Sequence, residues 1–593
     1  MKLLLVLAVV LLLRAPFLNQ AIQGDDINYL AAAQHAQIDP AHPLNMKYVF
    51  LGELVDMEGH PHPPLNAWFL GLLLALFGDI REVPFHAAYV LFSMIAAVAM
   101  WSLAKRFSPH PVWATLLFLA TPAFVINGNS LESDIPFLAF WMAGAALFVG
   151  AVGARAKARA TVAAVFLGLA AMTAYQAAFL TPILAVYAWL FARRSKAAWA
   201  VVLVPPIVIA GWQVFELLTI DKLPVAVLSG YFQTYELQSW MKKLRNAGAL
   251  SIHLCWIVFP ALLVPAFLMS RKRRDADTIF LAAWIAIYFA AGIGIFFAGS
   301  ARYLLPIAAP VALLVSRVGA RWLAAGFAAQ MALSLSLASV NYQHWDGYRA
   351  FAASLKPQLE NKRVWINGEW VRYYLEAEGA LPIKKEQAVR AGDIIVTSEL
   401  GFPVHFTTGG GALSPIAQLA IGATLPFRLI GLNTRSAYST ADNGMLPFDI
   451  SSGPIDRVRA EVVVERQPKL EYLTMNTPEA DQQLVSGVYA LDPPRWMAGQ
   501  AVILLKSPAT PRPLRVVFHI HAMAPARKIT LRLDGDEVVS QTFDAPGAYT
   551  MQSPAQKPKT PTATLTIIVD KTFSVPNDRR ELGIVLIEAG FVP

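Results

Sequence analysis

The sequence predicts a multi-span α-helical membrane protein with about eleven transmembrane helices, followed by an exported α/β plus β-sandwich region. Three observations carry this. Of 593 residues, 56% are hydrophobic and only 15% charged, whereas a soluble domain carries about 25% charged residues. The long apolar runs are confined to residues 1–340, and 341–593 have the composition of an ordinary soluble protein. Finally, the basic residues come in short clusters between apolar runs. That is the pattern of membrane topology signals, so the net charge of +9 does not imply a nucleic-acid partner. A single cysteine, Cys255, excludes an internal disulfide. Its apolar surroundings predict a packed, inert thiol.

A span needs about 20 apolar residues. The candidates are 1–18, 84–104, 111–127, 134–153, 160–176, 177–192, 198–218, 249–270, 278–298, 301–316 and 320–340. The first has the shape of a signal peptide but no small-x-small cleavage pattern, so it is expected to stay as a helix. The stretch 63–78 is short and opens on Pro63-Pro64. Its status follows from the basic clusters: Lys105-Arg106, Arg155/Lys157/Arg159, Arg193-Arg194/Lys196, Arg271-Lys272-Arg273-Arg274 and Arg317/Arg321. With eleven spans and Lys2 inside, all five clusters are cytoplasmic. A twelfth span at 63–78 would put them all outside. That stretch is therefore expected to lie in the outer interface. The N-terminus is then cytoplasmic, and 341–593 are periplasmic or extracellular on a bacterial-type inner (plasma) membrane. One external loop, 219–248, runs against this pattern with Lys222, Lys242, Lys243 and Arg245.

The residues suited to chemistry all fall on the outer side. Gly24-Asp25-Asp26 follows the first helix. Carboxylates beside hydrocarbon are costly and tend to be retained for function. An Asp can take a hydroxyl proton as general base, with a neighbouring acid orienting an acceptor or a metal. A plain helix N-cap is the simpler alternative. Gly59-His60-Pro61-His62-Pro63-Pro64 offers His62 to a phosphate or a sugar hydroxyl; His-x-His alone is a weak metal signal. Ser130-Leu131-Glu132-Ser133-Asp134-Ile135-Pro136 opens a span with acids, and also reads as a cap. Ala301-Arg302-Tyr303-Leu304-Leu305-Pro306 places a guanidinium, a good phosphate partner, at another span's start. Arg14 is a second candidate for that role, or for pairing with Asp25 or Asp26. No dinucleotide fingerprint or P-loop is present, and Gly409-Gly410-Gly411 reads as a turn.

In order and in sidedness these motifs resemble the GT-C superfamily of glycosyltransferases, in its protein O-mannosyltransferase and lipid A aminoarabinose transferase branch. The resemblance covers residues 1–340. It rests on Asp25-Asp26-Ile27-Asn28-Tyr29, on His62-Pro63-Pro64-Leu65, on Asp134, and on Arg302, Tyr303 and Pro306. It implies a GT-C fold and a polyprenyl-phosphate-linked sugar donor entering from the bilayer. A glycan, lipid or protein hydroxyl would be the acceptor, and the transfer would invert the anomeric carbon. Asp25 would be catalytic, and Arg302 would stabilise the departing lipid phosphate. Asp26, Tyr29, His62, Glu132, Asp134, Tyr175, Gln176 and Tyr303 would bind substrate. Tyr175-Gln176 stands where relatives often carry a Lys. No cofactor is implied with certainty, and a divalent metal is left open.

In the exported half, strands are expected at 363–367 and 393–397, and helices at 346–359 and 369–377. Residues 401–480 are irregular. Short alternating strands in 481–593 suggest a β-sandwich resembling a carbohydrate-binding module. Trp496 or Tyr549 would stack on sugar there, with a core role the simpler reading. Two other function classes compete: a transporter or flippase, and a non-catalytic membrane scaffold. Convergence of Asp25, Asp134 and Arg302 on one place favours the enzyme; dispersal excludes it.

Overall fold

The computed structural model describes residues 1–593 except 155, 272–274, 437, 440, 466–467, 490–494, 576–577 and 579. The chain divides into two compact units. The first comprises Met1–Tyr48, Val55–Arg349 and Ile421–Asp456; the second comprises Val49–Leu54, Ala350–Ala420 and Arg457–Pro593.

The first unit is helical. Among the described residues, Glu82–Phe107, Asp134–Ala154, Ala276–Ile295 and Ala320–Leu359 are long and apolar enough to cross a membrane. Lys196–Val202 and Val204–Ile220 make one further apolar pair, bent by 44°. Other expected spans are shorter apolar helices, two of them broken at prolines. The stretch 111–127 is split into Pro111–Leu119 and Pro122–Asn127. Thr121, before Pro122, is extended at ψ 128°, because a proline ring crowds the preceding residue out of the helical region. Phe259, before Pro260, is extended for the same reason, at ψ 122°. The stretch 63–78 is the helix Leu65–Phe77, closed by Gly78 at φ +72°. The helix expected at 346–359 is the end of one unbroken helix from Ala320 to Leu359.

The helices have two chemically different ends. Arg106 donates to Asp277 through both terminal nitrogens, at 2.7 and 2.9 Å. Arg317 donates to Thr278 at 2.7 Å, and Ser108 to Ser316 at 2.6 Å. These contacts gather two of the basic clusters and the start of Ala276–Ile295 at one end. Arg155 and Lys272-Arg273-Arg274 lie outside the described residues. Asp134 and Glu82 begin their helices at the other end. The stretch expected as a basic loop, 219–248, holds the helix Pro224–Thr234 and the start of Trp240–Leu254, and its charges are used locally. Lys222 pairs with Asp56 at 2.8 Å, Lys242 donates to the Tyr235 carbonyl at 3.0 Å, and Arg245 pairs with Asp442 at 3.4 Å. Lys243 donates to the Gly294 carbonyl at 2.6 Å, capping the C-terminal end of Ala276–Ile295, where a cation complements the helix dipole. The thiol expected to be packed is exposed: Cys255 stands on the outer face of its helical turn and donates to the Ser251 carbonyl at 3.4 Å.

The second unit has two sheets of note. Strands Val364–Asn367 and Ile394–Ser398 pair in parallel, and Asp456–Val464 adds antiparallel. The turn and helix between the parallel strands, Glu369–Val371 and Arg372–Glu376, make the expected α/β unit. The C-terminal part is β-rich. Its strand Arg495–Lys506 pairs with Val585–Phe591 at its start and with Thr562–Val569 from Gln500 onward, linking the two halves of the sheet system. Burial alternates strictly along Thr562–Val569, as a strand with one face in a core requires. Tyr549 is part of that packing, 4.6 Å from Phe543 by ring centroid. Trp496 packs with His521 and Phe573 at 5.7 and 5.9 Å. Gly409 and Gly410 hold a turn at φ +61° and +86°.

Candidate active site

Gly24 turns the chain at φ +48°, a backbone conformation suited to glycine. The helix Asp26–His35 follows, with Asp25 as its N-cap. The two acids then diverge. Asp26 is fully buried and accepts from the backbone amides of Gln23 (3.0 Å) and Leu131 (2.7 Å), one on each oxygen. It fastens the turn before its helix to the loop that carries Glu132, Ser133 and Asp134. Burial pushes its carboxyl up to about 8, the two amides opposing the rise. Asp25 keeps 44% of its side chain exposed and turns toward Arg302.

Arg302 is the centre of the constellation. It sits in the short turn Ala301–Leu304 with 16% of its side chain exposed. One terminal nitrogen donates to Asp25 at 2.9 Å. The other donates to Glu132 and lies 3.6 Å from Asp134. Three carboxylates from two loops and a helix start therefore meet one guanidinium. Its Nε is buried without a hydrogen-bond partner among the described residues. Tyr303 lies beside the guanidinium, 5.9 Å from ring centroid to Cζ.

A second chain of contacts runs alongside. Tyr29 Oη lies 3.0 Å from Ser133 Oγ, and Ser133 Oγ lies 2.6 Å from His62 Nδ1. His62 Nδ1 is also 3.2 Å from the Thr173 carbonyl. Burial, reinforced by His60 and Arg302, holds His62 well below the usual imidazole range. His62 is thus neutral at pH 7 and serves as a hydrogen-bonding group, not a cation. Burial likewise lowers His60 to about 4 and raises the Tyr29 phenol. The His60 and His62 rings are 5.2 Å apart. Among the described residues no group of three or more His, Cys, Asp or Glu side chains is arranged to hold a metal ion.

The remaining candidates lie further out. Tyr175 Oη accepts from Gln213 at 3.0 Å, and Gln176 accepts from Tyr288 at 3.0 Å. Neither hydrogen-bonds to Arg302 or its carboxylates among the described residues. The reading of Arg14 is corrected. Its guanidinium is buried and donates to the carbonyls of Phe124 (2.7 Å) and Val125 (2.8 Å), to Asn129 and to Ser93. It neutralises the C-terminal end of Pro122–Asn127 and meets neither Asp25 nor Asp26.

Sequence reading missed three supports. Ser133 lies inside a run it had singled out, so the signal was there. Asn341 donates to Gln23 at 2.7 Å and accepts from Trp345 at 3.1 Å, bracing the turn at Gly24. The Tyr438 carbonyl accepts from the Ala301 amide at 3.0 Å and from Ser300 at 3.1 Å, holding the Arg302 turn. Tyr438 had no local signal, since it comes from an irregular stretch far along the chain.

Comparison with known proteins agrees with the motifs. Residues 61–213 match the family described as Dolichyl-phosphate-mannose-protein mannosyltransferase. Lipid A galacturonosyltransferase RgtD of Rhizobium johnstonii is 24% identical over 138 residues, which are 23% of this chain and 29% of that protein. The match thus spans less than a third of the relative's length. Among solved structures, ArnT from Cupriavidus metallidurans bound to undecaprenyl phosphate aligns at a TM-score of 0.46 and 13% identity, over 70% of this chain and 96% of that one. The Archaeoglobus fulgidus oligosaccharyltransferase tethered with an acceptor peptide aligns at 0.40 and 12%, over 100% and 97%. Of the motifs that carry the resemblance to GT-C glycosyltransferases, the matched segment contains His62-Pro63-Pro64-Leu65 and Asp134, and it does not reach Asp25 or Arg302.

Proposed function

We propose that this chain is an integral membrane glycosyltransferase that moves a sugar from a polyprenyl-phosphate donor to an acceptor hydroxyl on the outer face of the membrane, with inversion. The observation that carries the reading is the convergence of Asp25, Glu132 and Asp134 on Arg302. A non-catalytic scaffold has no use for three acids and a part-buried guanidinium brought together from positions as far as 277 residues apart in the chain. The matched family carries a polyprenyl-phosphate sugar in its description, which supports the donor class.

In this reading the lipid phosphate binds Arg302 in exchange for Asp25, which is the most exposed of the three carboxylates. Asp25, released from the guanidinium, accepts the proton of the acceptor hydroxyl. The acceptor oxygen forms a bond to the anomeric carbon as the bond from that carbon to the phosphate oxygen breaks. The electron pair leaves with the lipid phosphate, where Arg302 offsets the developing charge in a site of low polarity. Glu132 and Asp134 hold the guanidinium from the far side and fix its plane. Tyr29, Ser133 and neutral His62 line the site with hydrogen-bonding groups suited to sugar or phosphate oxygens. The N-terminus is cytoplasmic and the active end faces the periplasm.

The test is transfer from a radiolabelled polyprenyl-phosphate sugar in membranes carrying wild type or Asp25→Asn. Removing a general base costs about 10²–10⁴-fold. Transfer unchanged in Asp25→Asn removes that residue from the mechanism.

A further inference from the structure

At the end of the helices opposite Arg302 lies a cavity of about 290 Å³, bounded by Glu82–Phe107, Asp134–Ala154 and the start of Lys157–Ala171. Gly153 leaves the space, since a Cβ there would meet no atom within 4 Å, and Gly150 lets the Arg159 side chain lie close, since a Cβ there would come within 3.1 Å of its Nη1. Ser102, Arg106 and Arg159 supply its polar wall. Arg106 is held by Asp277. Arg159 reaches the Gly150 carbonyl at 3.3 Å and forms no ion pair among the described residues. One helical turn further into the apolar zone, Val98 and Val162 are 41% and 45% exposed.

We infer that this cavity binds the phosphodiester headgroup of an anionic phospholipid of the cytoplasmic leaflet. A guanidinium with no carboxylate partner among the described residues suits phosphate oxygens, which match its planar fork. Basic pockets between helix ends on the cytoplasmic side meet a leaflet rich in anionic lipid. The exposed valines give the acyl chains an apolar track leading away from the headgroup, which a soluble phosphate would not use. Arg106, fixed by Asp277, shapes one wall, and Arg159 makes the charge contact.

The test uses the full-length chain in neutral detergent. Its melting midpoint and its retained lipid, by native mass spectrometry, are followed with phosphatidylglycerol, phosphatidylcholine or inorganic phosphate. Phosphatidylglycerol alone is expected to raise the midpoint and to be retained. Arg159→Gln, at an exposed position, is expected to weaken its binding about fivefold. Gly153→Leu, projecting into open space, is expected to abolish retention. Equal effects of phosphatidylcholine or of inorganic phosphate overturn the assignment, as does unweakened phosphatidylglycerol binding by either variant.

Discussion

The two ends of the helices use arginine in opposite ways. At one end Arg302, with 16% of its side chain exposed, is within reach of three carboxylates. At the other, Arg106 has one acid, Asp277, and Arg159 has none among the described residues. The difference teaches that a guanidinium alone does not define an anion site. In the proposed lipid site the basic end receives an anion as it stands. In the proposed mechanism the acid-rich end does not, and a phosphate enters there by exchange against one of the carboxylates already present. Asp25, with 44% of its side chain exposed against 8% for Glu132 and 12% for Asp134, is the one able to leave.

The largest effect is expected from Arg302→Gln. Removing one partner from a buried charged network costs about 3–5 kcal/mol, so both transfer and chemical-denaturation stability should collapse. Arg302→Lys keeps the charge but not the fork and should fall between. Unchanged stability in Arg302→Gln would break the contrast between the ends. Asp26→Asn comes next. It places an amide nitrogen against a backbone N–H and should cost about 1–3 kcal/mol. Its transfer loss should be smaller than that of Asp25→Asn, since Asp26 positions the loop at Leu131 and does not face Arg302. A stability equal to wild type would show that this fastening contributes nothing.

A further effect is expected as a pH dependence beside the site. Glu58 is fully buried, and neither of its carboxylate oxygens has a hydrogen-bond partner among the described residues. Burial, with Glu216 nearby, raises its carboxyl from 4.5 to about 8. The folded state therefore holds a proton that the unfolded chain releases. The associated stability is fully present below pH 4.5 and is lost as pH rises through about 8. Glu58→Gln should flatten part of that decline in melting temperature, and Asp26, also raised to about 8, should retain the rest. An identical slope in wild type and Glu58→Gln would remove Glu58 from the titration.

Much of the Arg302 end was legible because its residues sit at or beside the starts of apolar stretches, where charge stands out. Asp25, Glu132, Asp134 and Arg302 were all visible this way, as was a short helix at Leu65–Phe77. The division of labour between Asp25 and Asp26 was only partly legible. It depends on the Gln23 and Leu131 amides, which no side-chain pattern reveals. Arg14 misled for the same reason, since its partners are the carbonyls of a helix end broken at Pro122. Tyr438 was illegible because the stretch Ile421–Asp456 returns to the first unit from a region with no periodicity. Cys255 misled because an apolar run does not say which helix face is covered.

The central claim is that a lipid phosphate takes the place of Asp25 on Arg302. Its most direct test is the Kd of a polyprenyl phosphate for wild type and Asp25→Asn in nanodiscs, measured beside transfer. With the competing carboxylate neutralised, Asp25→Asn is expected to bind at least as tightly as wild type while transfer falls by about 10²–10⁴-fold. Binding that weakens in parallel with transfer would contradict the exchange and return Asp25 to a role in holding the donor.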